Sequence, residues 1–135
     1  MRTHGTFAVA SFEASTLTPP PLDITVGAPV GVAVMEKVYA GGVEGHSATI
    51  FTSAFDMATG VGTYVALESF EGRLDDRTGG FAFVHSATTT GADRAREMFV
   101  IVPGTGVGEL VGITGGGGMD TNADPHPVWF DYELG

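Results

Sequence analysis

The hydrophobic residues of this chain fall into short runs rich in β-branched and aromatic side chains, which Gly, Pro, Asp and Asn interrupt. Almost no stretch repeats its hydrophobic residues with the period of an α-helix, whereas runs of this kind are typical of β-strands. Strands at this spacing predict an all-β fold, a single antiparallel eight-stranded barrel that spans residues 1–135 as one domain. The eight predicted strands cover Thr6–Phe12, Val30–Ala40, Val43–Ala54, Val61–Leu74, Gly79–Thr90, Ala95–Pro103, Gly108–Thr114 and Val128–Leu134.

The Gly41-Gly42 turn sets the predicted pairing of the second and third strands. Two glycines between two strands are typical of a two-residue hairpin turn. Such a turn places Tyr39 opposite Glu44 and Lys37 opposite His46. Because successive side chains point to opposite faces of a strand, this register sends all four side chains to the same face of the sheet.

A second turn, at Asp75–Thr78, sets the pairing of the fourth and fifth strands. A turn that joins Leu74 to Gly79 places Phe70 opposite Phe83 and Glu68 opposite His85. Cross-strand partners share a face, so this register brings a carboxylate and an imidazole together among aromatic side chains.

A turn near Gly91 is expected to bring Glu97 beside His85. Together these registers divide the predicted sheet into two faces. An eight-stranded barrel is just wide enough to be filled by side chains or to hold one small ligand. The outer face is still rather apolar, so we expect the Pro-rich segment Thr16–Pro29 or another subunit to cover part of it, and the latter predicts a homo-oligomer. The face assigned to the interior carries Met35, Lys37, Tyr39, Glu44, His46, Ile50, Tyr64, Glu68, Phe70, Phe81, Phe83, His85, Glu97, Phe99 and Ile101.

Glu68 and His85 are the candidate catalytic residues. A carboxylate that faces an imidazole in an apolar interior can act as general acid and base, because burial and the partner displace both pKa values. The alternative is a buried, hydrogen-bonded pair that serves folding. The other polar and aromatic interior side chains are candidate ligand-binding residues, with core packing or solvated cross-strand pairing as the alternative; they are Tyr39, Glu44, His46, Tyr64, Phe70, Phe81, Phe83, Glu97 and Phe99.

The glycine-rich segment Gly104–Gly118 follows a predicted strand, as phosphate-binding loops do. Such a loop needs a helix after its glycines, since the N–H groups at the helix start hold the anion. Here the β-type stretch Glu109–Thr114 follows, without a Gly-Lys-Ser/Thr sequence. We therefore expect these glycines to permit bends where the strands close a small barrel.

The charge balance limits the partners that the chain can have. Six Lys and Arg stand against 16 Asp and Glu, for a formal net charge of −10, which argues against nucleic acids and anionic membranes as partners. The chain has no Cys and four His without the spacing of a metal site, so we expect no metal and no cofactor. The N-terminal residues lack the apolar run of a signal peptide, which predicts a cytoplasmic protein.

Four blocks of the sequence resemble the domain-of-unknown-function family numbered 3224: Tyr39–Gly45, Tyr64–Gly72, Thr78–His85 and Val100–Leu110. The resemblance implies an allene-oxide-cyclase-like β-barrel and brings no established activity with it. Relatives with that barrel include plant allene oxide cyclases, dirigent-type proteins and spirotetronate cyclases, which bind apolar molecules and steer ring closure. His46 and Glu97 depart from the family pattern, which implies a more polar interior here.

The sequence therefore predicts a small barrel that binds an apolar or aromatic small molecule in its interior. If it is an enzyme, we expect a cofactor-free cyclase or isomerase that orders a flexible substrate. The alternative is a non-catalytic metabolite-binding or oligomeric structural barrel. A cavity of roughly a few hundred Å³ beside Glu68 and His85 favours the first function. An interior filled by phenylalanines favours the second; the residues that would fill it are Phe70, Phe81, Phe83 and Phe99.

Overall fold

The structure is a computed structural model that describes all 135 residues. The chain forms nine β-strands and no α-helix, so no helix is present that is long and apolar enough to cross a membrane. The strands are β1 (Arg2–Ser15), β2 (Val30–Gly41), β3 (Val43–Phe55), β4 (Val61–Leu74), β5 (Arg77–Thr90), β6 (Ala95–Ile101), β7 (Val107–Gly108), β8 (Ile113–Met119) and β9 (His126–Leu134).

Eight of the nine strands pair in a hydrogen-bonded ring, and all pairs are antiparallel. The order around the ring is β1, β2, β3, β4, β5, β6, β8 and β9, and β9 pairs again with β1. The two-residue strand β7 lies beside β5, outside this order. The all-β antiparallel architecture is thus the one that the sequence predicts, with one additional short strand.

The predicted strand at Gly108–Thr114 is wrong. Residues 109–112 form a turn, and the strand of the ring is the glycine run that begins at Ile113. These glycines allow neighbouring groups to approach the strand closely: a Cβ at Gly117 would collide with the backbone oxygen of Trp129 and lie 3.0 Å from the ring of Phe99. Glycine is therefore required by packing inside a strand, where its lack of a side chain otherwise weakens pairing.

The predicted register of β2 and β3 is wrong by one residue. Tyr39 lies opposite Gly45, and Lys37 lies opposite Ser47. The turn does not close as a two-residue hairpin, because Gly42 is held from outside it: its N–H donates to the carbonyl of His4, and its carbonyl accepts the N–H of Asp75.

A slip of one residue exchanges the faces of β3. Glu44, His46 and Ile50, which the sequence assigns to the interior, are exposed on the outer face. Ser47 and Thr49 take their place inside, where both are buried.

The predicted register of β4 and β5 is wrong by two residues, which leaves the faces unchanged. The turn is a two-residue tip at Asp75-Asp76, so Leu74 pairs with Arg77. In consequence Glu68 lies opposite Phe83 and His85 lies opposite Ala66. Both ionisable side chains still point inward and are buried.

Glu97 does not lie beside His85 as predicted. His85 pairs with Phe99, and the pairing of β5 with β6 is irregular just beyond, between Ser86 and Thr88. Arg96 has a positive φ of 52° at this point. The side chain of Glu97 is exposed to solvent and pairs with Arg94 instead of His85.

The interior of the ring is tightly packed near the Gly41 and Asp75 turns. Its core consists of Phe7, Tyr39, Val43, Phe70, Leu74, Phe81, Phe83, Ile101, Leu110, Ile113, Met119, Val128, Phe130 and Tyr132. The Pro-rich segment Thr16–Pro29 does not cover the outer face as expected, since its side chains are exposed, with Leu22 at 87% and Ile24 at 70%.

Candidate functional site

A buried carboxylate stands at the centre of the candidate site. Glu68 on β4 is fully buried and accepts hydrogen bonds from four side chains. Lys37 Nζ (2.7 Å) and His85 Nε2 (2.9 Å) bind its Oε1, while the Tyr39 hydroxyl and Ser47 Oγ (2.6 Å) bind its Oε2. Donors from β2, β3 and β5 thus converge on β4, and the charge of Glu68 is paired inside the protein, as buried charges require.

The surroundings of Glu68 hold it in the ionised form. Burial raises the pKa of this carboxyl, but the hydrogen bond from His85 and the charge and hydrogen bond of Lys37 outweigh burial and lower the pKa from 4.5 to about 2. The carboxylate and the ammonium group therefore form a buried ion pair at neutral pH.

His85 is held in one tautomer. Burial lowers the pKa of His85 below 6.5, against the opposing effect of Glu68, so the imidazole is neutral at pH 7. Because Oε1 of the ionised Glu68 can only accept, Nε2 carries the proton and donates it to the carboxylate. Nδ1 is then an acceptor, and it accepts the hydroxyl proton of Tyr64 at 2.8 Å.

Tyr64 connects this buried cluster to the surface. Arg94 Nη2 donates to the Tyr64 hydroxyl at 2.7 Å, and the guanidinium lies 5.3 Å from the ring centre. Arg94 also pairs with the exposed Glu97. Burial raises the pKa of Tyr64, and the charge of Arg94 opposes this effect. The result is a continuous hydrogen-bonded chain from Glu97 to Glu68.

A cavity of about 200 Å³ opens beside this chain. It lies where residues 16–29, 56–60, 91–94 and 120–125 connect the strands at one end of the ring. Lys37, Tyr64 and His85 reach it, whereas Glu68 lies behind them and does not line it. The remaining wall consists of Phe7, Val9, Met35, Phe51, Arg94, Met119, Thr121 and His126.

A larger groove of about 890 Å³ lies on the outside of the ring and contains Glu44 and His46. Its charged side chains are paired with one another, His46 with Glu71 at 3.4 Å and Arg73 with Glu44 at 2.8 Å. We place the candidate site in the smaller cavity, because only that cavity combines an apolar wall with buried groups of displaced pKa.

The structure brings together some of the predicted site residues and separates others. Tyr39, Tyr64, Glu68 and His85 belong to one hydrogen-bonded cluster. The interior positions predicted for Glu44, His46 and Glu97 are wrong, although Glu97 reaches the cluster through Arg94. The four predicted phenylalanines line no part of the cavity; Phe70, Phe81 and Phe83 lie in the core and Phe99 is packed against it.

Several residues of the site escape analysis of the sequence. The correct register of β3, one residue away from the predicted one, would have assigned Ser47 to the interior. Arg94 comes from the loop between β5 and β6, and no pattern of the sequence points to it. His126, which stands between two prolines, lines the cavity with Nδ1 buried and without a hydrogen-bond partner.

The arrangement can hold a small molecule and shift a proton. Tyr64 and His85 line the cavity. Nδ1 of His85 can take the hydroxyl proton of Tyr64, and Glu68 can stabilise the imidazolium that results. No group of three His, Asp or Glu side chains lies close enough to hold a metal ion.

Comparisons with known proteins give a family and no activity. The sequence profile of the family described as "Protein of unknown function (DUF3224)" matches residues 3–132. Among solved structures, the chain is similar to a crystal structure of a protein with unknown function from the DUF3224 family of Shewanella oneidensis MR-1, with 26% identity and a TM-score of 0.84. That match covers 100% of this chain and 97% of the other. No curated protein matches the chain.

Proposed function

The chain belongs to the DUF3224 family, and we propose that its strand ring is an allene-oxide-cyclase-like barrel that binds a small apolar or aromatic molecule in the cavity beside Tyr64 and His85. One observation supports this proposal: an apolar wall and a polar group of fixed position lie side by side in the same cavity. An apolar wall of Phe7, Met35, Phe51 and Met119 meets a fixed, neutral imidazole. Ligand sites typically combine such a wall with a few precisely placed polar groups.

The chemistry that fits this geometry is a cofactor-free proton transfer, as in an isomerase or cyclase. As the Tyr64 oxygen accepts a proton from a substrate carbon, its own proton passes to Nδ1 of His85, 2.8 Å away. The imidazolium then lies between Tyr64 and the Glu68 carboxylate, which stabilises its charge. Return of the proton to a different substrate atom completes an isomerisation, and every group of the protein regains its first state.

Binding is tested with the methyl groups of methionine as NMR probes. Met35 and Met119 line the cavity, whereas Met57 is 86% exposed in a loop and Met98 lies on the outer face. An uncharged aromatic probe, benzyl alcohol, should shift the methyl signals of Met35 and Met119 and leave those of Met57 and Met98 in place. Shifts at the exposed methionines alone would overturn the proposal.

Native mass spectrometry of freshly purified protein then tests for a retained natural molecule. In deuterated water, a proton-transfer enzyme should incorporate deuterium into that molecule, and Tyr64→Phe should retain the molecule but stop the incorporation. Retention without any incorporation would support the second candidate function, a non-catalytic binding protein. The densely packed aromatic residues Phe70, Phe81 and Phe83 favour that candidate, since they leave only one end of the ring open.

A further inference from the structure

The polar wall of the cavity has an unusual charge for this protein. Acidic residues outnumber basic ones by 16 to six in the chain, yet no carboxylate lines the cavity. Its ionisable groups are Lys37, Arg94, Tyr64 and two of the four histidines, His85 and His126. The cavity therefore presents hydrogen-bond donors and no carboxylate in a protein that is acidic as a whole, and its two cations are paired from behind, Lys37 with Glu68 and Arg94 with Glu97.

Some of these donors have unused capacity. Lys37 Nζ makes one hydrogen bond, to Glu68, and lies 4.5 Å from the centre of the Phe7 ring, so N–H groups remain for a ligand. His126 packs against Phe7, with ring centres 5.0 Å apart, and its buried Nδ1 has no partner. Glu68, in contrast, is fully occupied by its four donors.

We propose that the ligand of this cavity is a small organic acid, with an apolar or aromatic body and one carboxylate. The carboxylate binds Lys37 and His126, and the body packs against Met35, Phe51 and Met119. This inference rests on the proposed function, since it names the ligand class of the same cavity. At about 200 Å³ the cavity is smaller than sites for drug-sized ligands, which limits the ligand to a molecule such as an arylacetate.

The test compares phenylacetate with phenylacetamide, its uncharged isostere, by titration of the Met35 and Met119 methyl signals. We expect the acid to bind at least about tenfold more tightly than the amide, and the difference to shrink in about 0.5 M NaCl because salt screens the charges. Equal affinities would overturn this inference while the proposed function stands. If neither compound shifts the two signals, the proposed function fails with it.

Two histidine variants locate the carboxylate. His126→Phe keeps an aromatic ring in the wall but removes the unpartnered nitrogen, and it should lower the affinity for the acid several-fold without changing that for the amide. His46→Phe makes the same substitution on the outer face and should change neither affinity, since His46 is exposed outside the cavity. Equal loss for acid and amide in His126→Phe would contradict the assigned position.

A second, independent feature lies on the outer face of strands β3 to β6. Twelve outward-facing residues form three adjacent rows there, and none is charged. The central row consists of the direct cross-strand neighbours Ile50, Leu67, Val84 and Val100, and it continues onto β2 as Val34. The twelve residues, here called the uncharged patch, are Ala48, Ile50, Thr52, Val65, Leu67, Ser69, Ala82, Val84, Ser86, Met98, Val100 and Val102.

The uncharged patch is mostly apolar, and its centre is open to solvent. Ile50 and Leu67 face each other at its centre and are 53% and 55% exposed. Aliphatic side chains on a flat strand surface are the usual filling between two packed sheets. We infer that a second copy of this chain covers the patch, sheet against sheet, in a two-fold dimer. The charge of the chain supports this occupant, because two copies of net charge −10 can meet closely only where acidic side chains are absent.

Sedimentation equilibrium from about 1 to 200 µM tests the dimer. We expect the wild-type protein to reach twice the chain mass of 13.9 kDa and to associate more tightly at high salt, since salt screens the repulsion. Leu67→Glu should remain at 13.9 kDa, whereas Val111→Glu, at a 66% exposed position in the turn before β8, should dimerise like the wild type. A wild-type protein that stays monomeric, or a dimeric Leu67→Glu, overturns the inference.

Discussion

Nε2 of His85 lies 2.9 Å from Oε1 of Glu68, although the two residues are not cross-strand partners. Glu68 faces Phe83 across β4 and β5, so the imidazole reaches the carboxylate diagonally. Diagonal neighbours on one face are within reach of long side chains. The contact fixes the protonated nitrogen of His85, and this in turn leaves Nδ1 free to accept from Tyr64.

Glu68→Gln should destabilise the protein strongly. The amide cannot offset the charge of Lys37, which is buried with 3% of its side chain exposed, and an uncompensated buried charge typically costs about 3–5 kcal/mol. Urea denaturation at pH 7 measures the loss. Glu71→Gln is the matched control on the same strand, where the carboxylate is 79% exposed, and it should change the free energy of unfolding by less than about 0.5 kcal/mol.

Tyr64→Phe should change the state of His85 without unfolding the protein. The substitution removes the only hydrogen bond to Nδ1 of His85, which costs about 1 kcal/mol of stability. Nitrogen-15 NMR of labelled histidine should show protonated Nε2 and unprotonated Nδ1 in the wild type at pH 7, with the Nδ1 signal displaced in the variant. A wild-type signal from the opposite tautomer would refute the hydrogen-bonded chain.

Neighbouring residues of β3 test its register directly. Ser47→Ala should cost about 1–2 kcal/mol, because it removes a buried hydrogen bond to a charged group. His46→Ala, one position away on the exposed face, should stay within about 0.5 kcal/mol of the wild type. The reverse order in thermal or urea unfolding would restore the register that the Gly41-Gly42 sequence predicts.

That register shows where analysis of the sequence succeeds and where it fails. The bounds of β4, Val61–Leu74, are predicted to the residue, because an alternating run is interrupted at both ends by turn residues. The two-residue error across Asp75-Asp76 is harmless, since alternation has a period of two. The one-residue error at Gly42 does matter, because it exchanges the faces of β3. It arises from the hydrogen bonds of Gly42 to His4 and Asp75, which lie far away in the sequence.

The sequence predicts residues of the candidate site only where side chains alternate between the two faces of a long strand. Glu68 and His85 lie on long strands, so their inward direction follows from the pattern, whereas their catalytic role stays a prediction. Arg94 enters from a loop and His126 begins a strand after Pro125, and neither position has a periodic signal. The run Gly115–Gly118 has no side chains to alternate, so the pattern cannot identify it as a strand.

Gly117→Ala should be far more costly than an alanine at an open glycine. Its Cβ would collide with the backbone oxygen of Trp129, so β8 and β9 must separate, at a cost of about 1–3 kcal/mol or more. Gly27→Ala meets nothing within 4 Å and should be neutral or slightly stabilising. Trp129 is the only tryptophan, and its fluorescence reports both the unfolding midpoint and the displacement of β9.

Acid should destabilise the native protein in two ranges of pH. The pKa values of Glu68 and His85 are both lower in the folded protein than in model compounds, so the unfolded chain binds more protons and stability falls as pH falls. The loss from His85 begins near its ordinary pKa of 6.5, and that from Glu68 occurs as pH falls from 4.5 to about 2. A shift of this size for Glu68 corresponds to about 3 kcal/mol.

Urea titrations of the wild type and Glu68→Gln across this range isolate the second loss, because exposed carboxylates contribute equally to both proteins. The difference in unfolding free energy between them should therefore shrink by about 3 kcal/mol towards pH 2, and a difference that stays constant would show that Glu68 is not ionised and paired in the native state.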